Sequence, residues 1–378
     1  VVVGAGKAAA RMAQAVEHAY YDRAPGFVVT PNGYALPTRT IEVIEAAHPV
    51  PDEAGEAAAR RALALAAGLG ADAELIVLLS GGASALWVAP APGVALAEKQ
   101  ALTRALLSSG AGIAEMNTVR KHLSAIKGGR LALAAAPARV LTLAVSDVPG
   151  DDPSVIGSGP TVGDPTSRQD AASILKRFGI APSPAIARAL ADSANETPQP
   201  GDPRLAGARY EMILGPSAVQ DAVAAEAARA GYEPVRLGDA LTGEARDVAA
   251  EHARRAVEAA RAGRRCALIS GGELNVTGSG SAPGGRCREY ALALAVALGG
   301  EPGVFAAALD TDGIDGVGGQ AGGTIGPDTL ARAMAAGLDP AAMLARHESG
   351  AFFDALGDSI VTGPTGTNLA DLRIVLTG

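Results

Sequence analysis

Carboxylates, hydroxyls and glycines gather in one stretch of this chain, residues 143–166, and nothing in it beyond Ser146-Asp147 can form a regular element. An apolar run from Val140 to Val145 reads as a buried strand that stops at Ser146-Asp147. Beyond it, Pro149, Pro153, Pro160 and Pro165 lack an N–H donor, while Gly150, Gly157, Gly159 and Gly163 permit backbone angles that other residues avoid. A long irregular loop inside a compact domain is usually functional or disordered. This one carries Asp147, Asp151, Asp152 and Asp164 directly after a strand, where open α/β sheets bind their ligands. Asp147 and Asp151 are candidates to orient a hydroxyl or hold a cation. The plainer role for any single Asp is to cap a turn.

Other stretches suit anion handling. Gly4-Ala-Gly-Lys7 half-matches two phosphate loops: a P-loop needs Ser or Thr after the Lys, where Ala8 stands. Gly4, Gly6 and Ala9 meet the dinucleotide pattern in form, yet the next strand runs into Pro31-Asn32 with no acid for a ribose. The turn still offers N–H groups at a helix N-terminus, and Lys7 adds a point charge. Ser80, Gly81, Gly82 and Ser84, like Ser270, Gly271, Gly272 and Glu273, form loops whose backbone can approach a ligand. Gly284 and Gly285 lead into Arg286 and Arg288, and arginine is shaped to clamp carboxylate or phosphate; the plainer role pairs Arg286 with Glu289.

Asp310-Thr-Asp312-Gly-Ile-Asp315 opens like a calcium loop but has Ile314 where an oxygen ligand belongs. Asp310 and Asp312 suit Mg²⁺, which takes one or two carboxylates and completes its shell with water and substrate phosphates. Thr365, Gly366, Thr367 and Asn368 add uncharged positioning groups. Arg120, Lys121, Lys127 and Arg130 read as a solvated helix face, on which Arg120 and Lys127 share a side and could touch an anion. The five histidines form no metal pair, and no Gly-x-Ser-x-Gly elbow is present.

The elements that must position these loops alternate. Apolar strands are expected at 1–3, 27–30, 41–44, 75–79, 140–145, 210–214, 234–237, 266–269, 304–309 and 372–376, with helices between most of them. One helix is expected at 118–127, capped by Asn117. The pattern predicts an α/β fold with a mostly parallel sheet covered on both faces. With 378 residues the chain should form two domains. The proline-punctuated segment 181–208 places them at 1–195 and 205–378. Glycine makes up 48 residues, well above the usual ~7%, and concentrates in loops after strands. A net charge of −8 without a basic run argues against nucleic acid. No apolar run reaches membrane-spanning length. Cys266 and Cys287 fit reduced thiols in a cytoplasmic protein, with a single bridge left open. Val1 reads as lying inside a strand, so residues are expected upstream.

Together these stretches resemble the glycerate 2-kinase family, whose C-terminal half is the MOFRL domain. The resemblance rests on Val3-Gly-Ala-Gly-Lys-Ala, Leu79-Ser-Gly-Gly-Ala-Ser-Ala-Leu, Asn117-Thr-Val-Arg-Lys-His-Leu-Ser-Ala-Ile-Lys-Gly-Gly, Ser146-Asp-Val-Pro-Gly-Asp-Asp, Ser158-Gly-Pro-Thr, Ser270-Gly-Gly-Glu, Gly284-Gly-Arg, Asp310-Thr-Asp-Gly-Ile-Asp-Gly and Thr362-Gly-Pro-Thr-Gly-Thr-Asn, in the family's order. It implies a Rossmann-like N-terminal domain, a smaller C-terminal α/β domain and an active cleft between them. It also implies phosphorylation of D-glycerate to 2-phosphoglycerate with ATP and Mg²⁺. Lys7 and Arg286 fall on the family's implicated Lys and Arg, and the central-loop carboxylate falls on Asp147 or Asp151. Arg286-Cys287-Arg288-Glu289 departs from the family's usual Gly-Gly-Arg-Asn-Gln-Glu. A homodimer is left open. The rival readings are an NAD(P)-dependent hydroxypyruvate reductase and a non-catalytic small-anion binding protein.

Overall fold

The computed structural model describes residues 1–148, 150–278 and 283–378. In the first of two compact units, Val1–Ile213, the apolar runs become a six-stranded sheet. Its strands are β1 (Val2–Ala5), β2 (Gly26–Pro31), β3 (Ile41–Ala46), β4 (Glu74–Leu79), β5 (Arg139–Val145) and β6 (Ala208–Leu214), ordered β3-β2-β1-β4-β5-β6. The pairs from β3 to β5 run parallel, and this is the Rossmann strand order. A continuous hydrophobic run suits a strand buried on both faces, and the Leu75–Leu79 segment of β4 is buried throughout. Helix Glu53–Ala67 packs Ala58, Ala62 and Ala66 on this sheet. Asp52 starts that helix by accepting the Gly55 N–H at 2.9 Å.

The first unit has a second core, built from helices Leu96–Ser108, Ile113–His122, Arg168–Arg177 and Pro184–Ala191 around Leu102, Met116, Val119, Ile174 and Ile186. The helix expected at 118–127 is displaced. Glu115 accepts the Gly112 N–H and starts it at Ile113, so Asn117 is a buried interior residue and not a cap. The helix ends at His122, with Leu123 as its C-cap, well before Lys127. Strand β6, expected in the second domain, joins the first sheet beside β5, and the compact units divide between Ile213 and Leu214. The proline-rich segment packs on the first unit: a side chain on Gly129 would meet Pro198 at 2.7 Å.

The second unit, Leu214–Gly378, holds a mixed sheet of β7 (Glu233–Gly238), β8 (Cys266–Gly272), β9 (Val304–Asp310), β10 (Gly322–Ile325), β11 (Ser359–Ile360) and β12 (Asp371–Thr377). The order is β11-β10-β9-β12-β8-β7, parallel only at β7–β8. The last strand therefore inserts between β8 and β9, and its register sets Asp371 opposite both Gly272 and Asp310. Strands β10 and β11 were not legible in the sequence, since Gly322-Gly323 carries no apolar signal. A side chain on Gly322 would lie 1.9 Å from the Ala308 carbonyl. Helices Ala245–Arg261 and Arg286–Leu298 cover one face, and helix Pro216–Arg229 packs on the other. Among the described residues no helix is long and apolar enough to cross a membrane. Cys266 and Cys287 are buried free thiols, which closes the option of a bridge between them.

Candidate active site

The glycine turn after β1 is locked against the Ser-Gly-Gly loop after β4. Gly6 has φ +135°, and a side chain there would lie 2.1 Å from Ser80 Oγ. Ser80 Oγ accepts the Ala8 N–H at 2.9 Å. The Lys7 N–H donates to the Gly81 carbonyl and the Ala9 N–H to Gly6. These three amides were expected to face an anion; each is already taken within the protein. The turn therefore presents the Lys7 side chain rather than an amide cradle. Gly82, at φ +85°, lies where an added side chain would meet His48 at 3.1 Å and the Lys7 stem at 3.7 Å.

The central loop splits into supporting and available carboxylates. Asp164 is buried and paired with Lys121 at 2.6 Å. Burial pushes its pKa up, but bonds from Lys121 and Thr166 outweigh this and hold it below the usual range. Asp152 caps the Ser154 N–H at 2.8 Å. Asp151 differs: it sits at φ +54°, and its buried Oδ1 has no partner among the described residues. Strained backbone of this kind persists where the surroundings enforce it and clusters at functional sites. Burial, then Asp151 and Asp152, raises the Tyr210 pKa. Asp147 is half-buried at the end of β5.

Ser158, at φ +62°, bonds Ser84 Oγ at 2.7 Å, while its carbonyl accepts the Gly128 N–H. Lys127 Nζ donates to the Ser84 carbonyl at 2.8 Å and approaches Ser84 Oγ at 3.2 Å. Three motifs distant in sequence thus meet at Ser84. The four basic residues read as a solvated face are not one. Lys121 and Lys127 are buried, and Arg130 donates to the Lys121 and Asn195 carbonyls. The sequence could not reveal this, because these cations are buried by contacts from residues 84, 99, 164 and 195.

Lys99, unnoticed in the sequence, is 5% exposed and donates to the Leu123 carbonyl at 2.8 Å. Lys99, Arg120 and Lys127 line a partly open cavity of 170 Å³ with His48, Gly82 and Ser84. Burial, then Arg120 and Arg130, pushes the Lys99 pKa down to about 7, and burial with Lys99 and Arg120 pushes Lys127 well down. A larger cavity of 570 Å³ beside Asp152 and Pro203 has no cation in its wall.

In the second unit Arg286 opens helix Arg286–Leu298, as the sequence suggested. Its partner is not Glu289, which Arg246 binds at 2.6 Å. The guanidinium instead grips Asp371 through Nε at 2.8 and 2.9 Å, while Nη2 reaches Asp310 at 3.0 Å and Glu273 at 3.1 Å. Burial would lower its pKa, but Asp371, Glu273 and Asp310 together raise it. Burial and then Asp312 push the Asp310 carboxyl up to about 7. Arg288 is buried and paired with Asp315 at 3.1 Å, so it supports the helix start and is not exposed to a ligand.

Ser270, Gly271 and Gly272 are stapled from within. Buried Arg373 donates to the Gly271 and Gly272 carbonyls at 2.9 Å each and reaches Ser270 Oγ at 3.3 Å. Thr365 Oγ donates to the Thr311 carbonyl, and the Thr365 N–H donates to Asp312, which seats the Thr365–Asn368 loop on the Asp310–Gly313 turn. Gly284, Gly285 and Arg286 line a 410 Å³ cavity with Asn275, Glu289 and His347.

Four carboxylates (Asp310, Asp312, Asp371, Glu273) face two guanidinium groups, those of Arg286 and Arg373. That excess of negative charge fits a divalent cation. Among the described residues no three metal-ligating side chains converge as a protein-built cage. Mg²⁺ held by one or two carboxylates and a phosphate chain does not need one.

Fold and site together define a two-unit α/β protein with a Rossmann-like N-terminal sheet and charged loops at the strand ends of both units. Residues 1–191 match the family described as Domain of unknown function (DUF4147), and residues 266–371 match the MOFRL family. The chain is 40% identical to the D-glycerate 2-kinase of Thermotoga maritima, over 100% of this chain and 90% of that protein. A protein of Agrobacterium vitis named "Putative hydroxypyruvate reductase" is 51% identical over 100% of this chain and 87% of its own. The crystal structure of glycerate kinase from Thermotoga maritima superposes with a TM-score of 0.92 at 39% identity, covering 100% of this chain and 91% of that one. The chain belongs to the glycerate 2-kinase family, with a MOFRL domain as its C-terminal part.

Proposed function

We propose that this protein transfers the γ-phosphoryl group of ATP to the 2-hydroxyl of D-glycerate. The observation that carries the reading is the unbroken full-length relation, in sequence and fold, to a D-glycerate 2-kinase. Phosphoryl transfer asks mainly for positioning and charge neutralisation. Arg286, with a pKa raised by three carboxylates, stays charged beside the 410 Å³ cavity that would take the nucleotide. Lys7, on the glycine turn of the first unit, supplies a second cation. Asp151, with its unpartnered buried oxygen, or Asp147 orients the attacking hydroxyl. Asp310 and Asp312 would hold Mg²⁺, which when bound neutralises charge on the phosphate chain. The buried free thiols fit a cytoplasmic protein.

The reductase reading is favoured by the name that two relatives from Agrobacterium vitis carry. Against it, in the dinucleotide-type turn the N–H groups of Lys7, Ala8 and Ala9 are already taken by Gly81, Ser80 and Gly6, so these three do not cradle a pyrophosphate. Phosphorus NMR of the product from D-glycerate and Mg-ATP tests the proposal, with a 2-phosphoglycerate signal expected. A 3-phosphoglycerate signal would reject the regiochemistry. Absence of ADP with every short hydroxy acid would reject the kinase. Oxidation of NADH by hydroxypyruvate, followed by absorbance, would establish the reductase instead, and ligand binding without ATP turnover would leave only an anion-binding protein.

A further inference from the structure

Three cations share one small, partly open space in the first unit, and among the described residues no carboxylate forms an ion pair with any of them. Lys99 and Lys127 are 5% and 1% exposed, and Arg120 is half-buried beside them. Among the described residues none of the three has a carboxylate oxygen within 4 Å. Their bonds go to neutral oxygens: Lys99 to Leu123, Lys127 to Ser84, and Arg120 to Asn117 Oδ1 at 3.4 Å. Each ammonium has three donors and the guanidinium five, so donors remain on all three. Burying an unpaired charge costs several kcal/mol, and here three like charges are gathered. A structural need to hold the Leu123 carbonyl explains Lys99 alone. It does not explain why Lys127 and Arg120 converge on the same space, where Arg120 depresses the pKa of both lysines.

We infer that this pocket is a binding subsite for a compact oxyanion, and that it seats the carboxylate of a short 2-hydroxy acid. The assignment of the acid rests on the kinase reading above; the anion site itself does not. The cavity volume of 170 Å³ equals roughly six waters at ~30 Å³ each. A three-carbon hydroxy acid or one phosphoryl group suits a space of that size. Gly82 forms part of the wall, and a side chain added there would lie 3.7 Å from the Lys7 stem. An acid anchored at Lys99, Arg120 and Lys127 would therefore present its hydroxyl toward Lys7. The Lys-Gly-Gly turn makes this geometry: positive φ at Gly128 and Gly129 lets the turn double back under Ser158 and deliver Lys127 to Ser84. The three residues act in substrate binding, so their loss should appear mainly in KM.

The test uses the full chain without nucleotide. D-glycerate and inorganic phosphate are titrated by calorimetry and by thermal shift, with glycerol as the neutral control. D-glycerate should bind and raise the Tm, and glycerol should do neither. If phosphate protects and D-glycerate does not, the carboxylate assignment is overturned and the subsite takes a phosphoryl group. If neither anion binds, the inference fails outright. Arg120→Met, at a half-buried position, and Lys127→Met should each weaken D-glycerate binding at least ~10-fold, as loss of a charge-assisted hydrogen bond implies. In turnover, KM for D-glycerate should rise to match, with kcat and KM for ATP within a few-fold of wild type. A folded Arg120→Met enzyme with KM for D-glycerate within twofold of wild type would overturn the inference while leaving the kinase intact. Anion binding lost in Arg120→Met, in a protein that forms no ADP, would uphold the subsite and end the kinase reading.

Discussion

The chain uses the sequence Ser-Gly-Gly twice after an apolar strand, at residues 80–82 and 270–272, and the two copies have opposite surroundings. In the first unit Ser80 caps the start of helix Ala9–Ala19, and Gly82 opens onto a pocket lined by cations. In the second unit Arg373 staples both glycine carbonyls, and the nearby open charge is a set of carboxylates around Arg286. The turn chemistry is the same, because both sites need glycine for close backbone approach. What differs is the partner that arrives from elsewhere in the chain. One loop becomes a wall of a positive pocket; the other becomes the buried floor of a negative one.

The largest expected break in this comparison is Arg286→Ala, which removes the cation from the negative site. We expect kcat/KM to fall at least ~10³-fold, the scale of an arginine acting on a transferring phosphoryl. Arg286→Lys keeps the charge but loses the fork, and should fall between this variant and wild type in steady-state kinetics. Next is Arg373→Met, which leaves the Gly271 and Gly272 carbonyls and one side of Asp371 unpaired. Loss of one buried charged partner should cost about 3–5 kcal/mol in denaturant unfolding. A smaller effect separates the loops themselves. Gly272→Ala places a side chain 2.3 Å from the Leu241 nitrogen at φ +92° and should lose about 3 kcal/mol. Gly82→Ala meets the His48 ring at 3.1 Å and the Lys7 stem at 3.7 Å, and should lose about 1 kcal/mol while raising KM for D-glycerate. Equal losses from the two substitutions would erase the distinction drawn here. Ser80→Ala removes the Ala8 cap and should cost about 1 kcal/mol by the same unfolding measurement.

The smallest effect is a pH dependence of the positive pocket. Lys99 faces Arg120, Arg130, Lys127 and, in the opposing sense, Glu56. Its folded pKa of about 7 lies below the ~10.4 of an unfolded lysine. Between those values the unfolded chain binds more protons, so stability without ligand should rise with pH across the window and be lost as pH falls toward 7. A bound oxyanion favours the protonated lysine, so the rise in Tm caused by D-glycerate should shrink from pH 7 to pH 9. A ligand-induced shift that is flat over that range would count against Lys99 in the pocket.

Much of the scaffold was legible because strands buried on both faces write themselves as apolar runs. Leu75–Leu79, Val140–Val145 and Val304–Leu309 all fall within strands. Glycines likewise marked real constraints, as at Gly6 and Gly272. The misreadings share a cause. A lysine reads as solvated unless the sequence reveals what covers it, and Lys127 is covered by residues more than forty positions away. The glycine turn after β1 read as an amide cradle because nothing local shows that Ser80 fills it. Glu289 is near Arg286 in sequence, but three residues apart at the start of a helix was outweighed by the register of β12, which brings Asp371 to Arg286.

The amino-acid sequence by itself determined the alternation of strand and helix, the glycine turns at the strand ends, and the supply of charged groups to those ends, because each depends on neighbours within a few residues. Only the tertiary structure decided which charges are neutralised. Insertion of the final strand between β8 and β9 surrounds Arg286 with Asp371, Asp310 and Glu273. Packing of the helical layer leaves Lys99 and Lys127 buried and Arg120 half-buried, with no carboxylate within 4 Å among the described residues. Charge pairing depends on distance through space and on the exclusion of water, and neither quantity is set by separation along the chain.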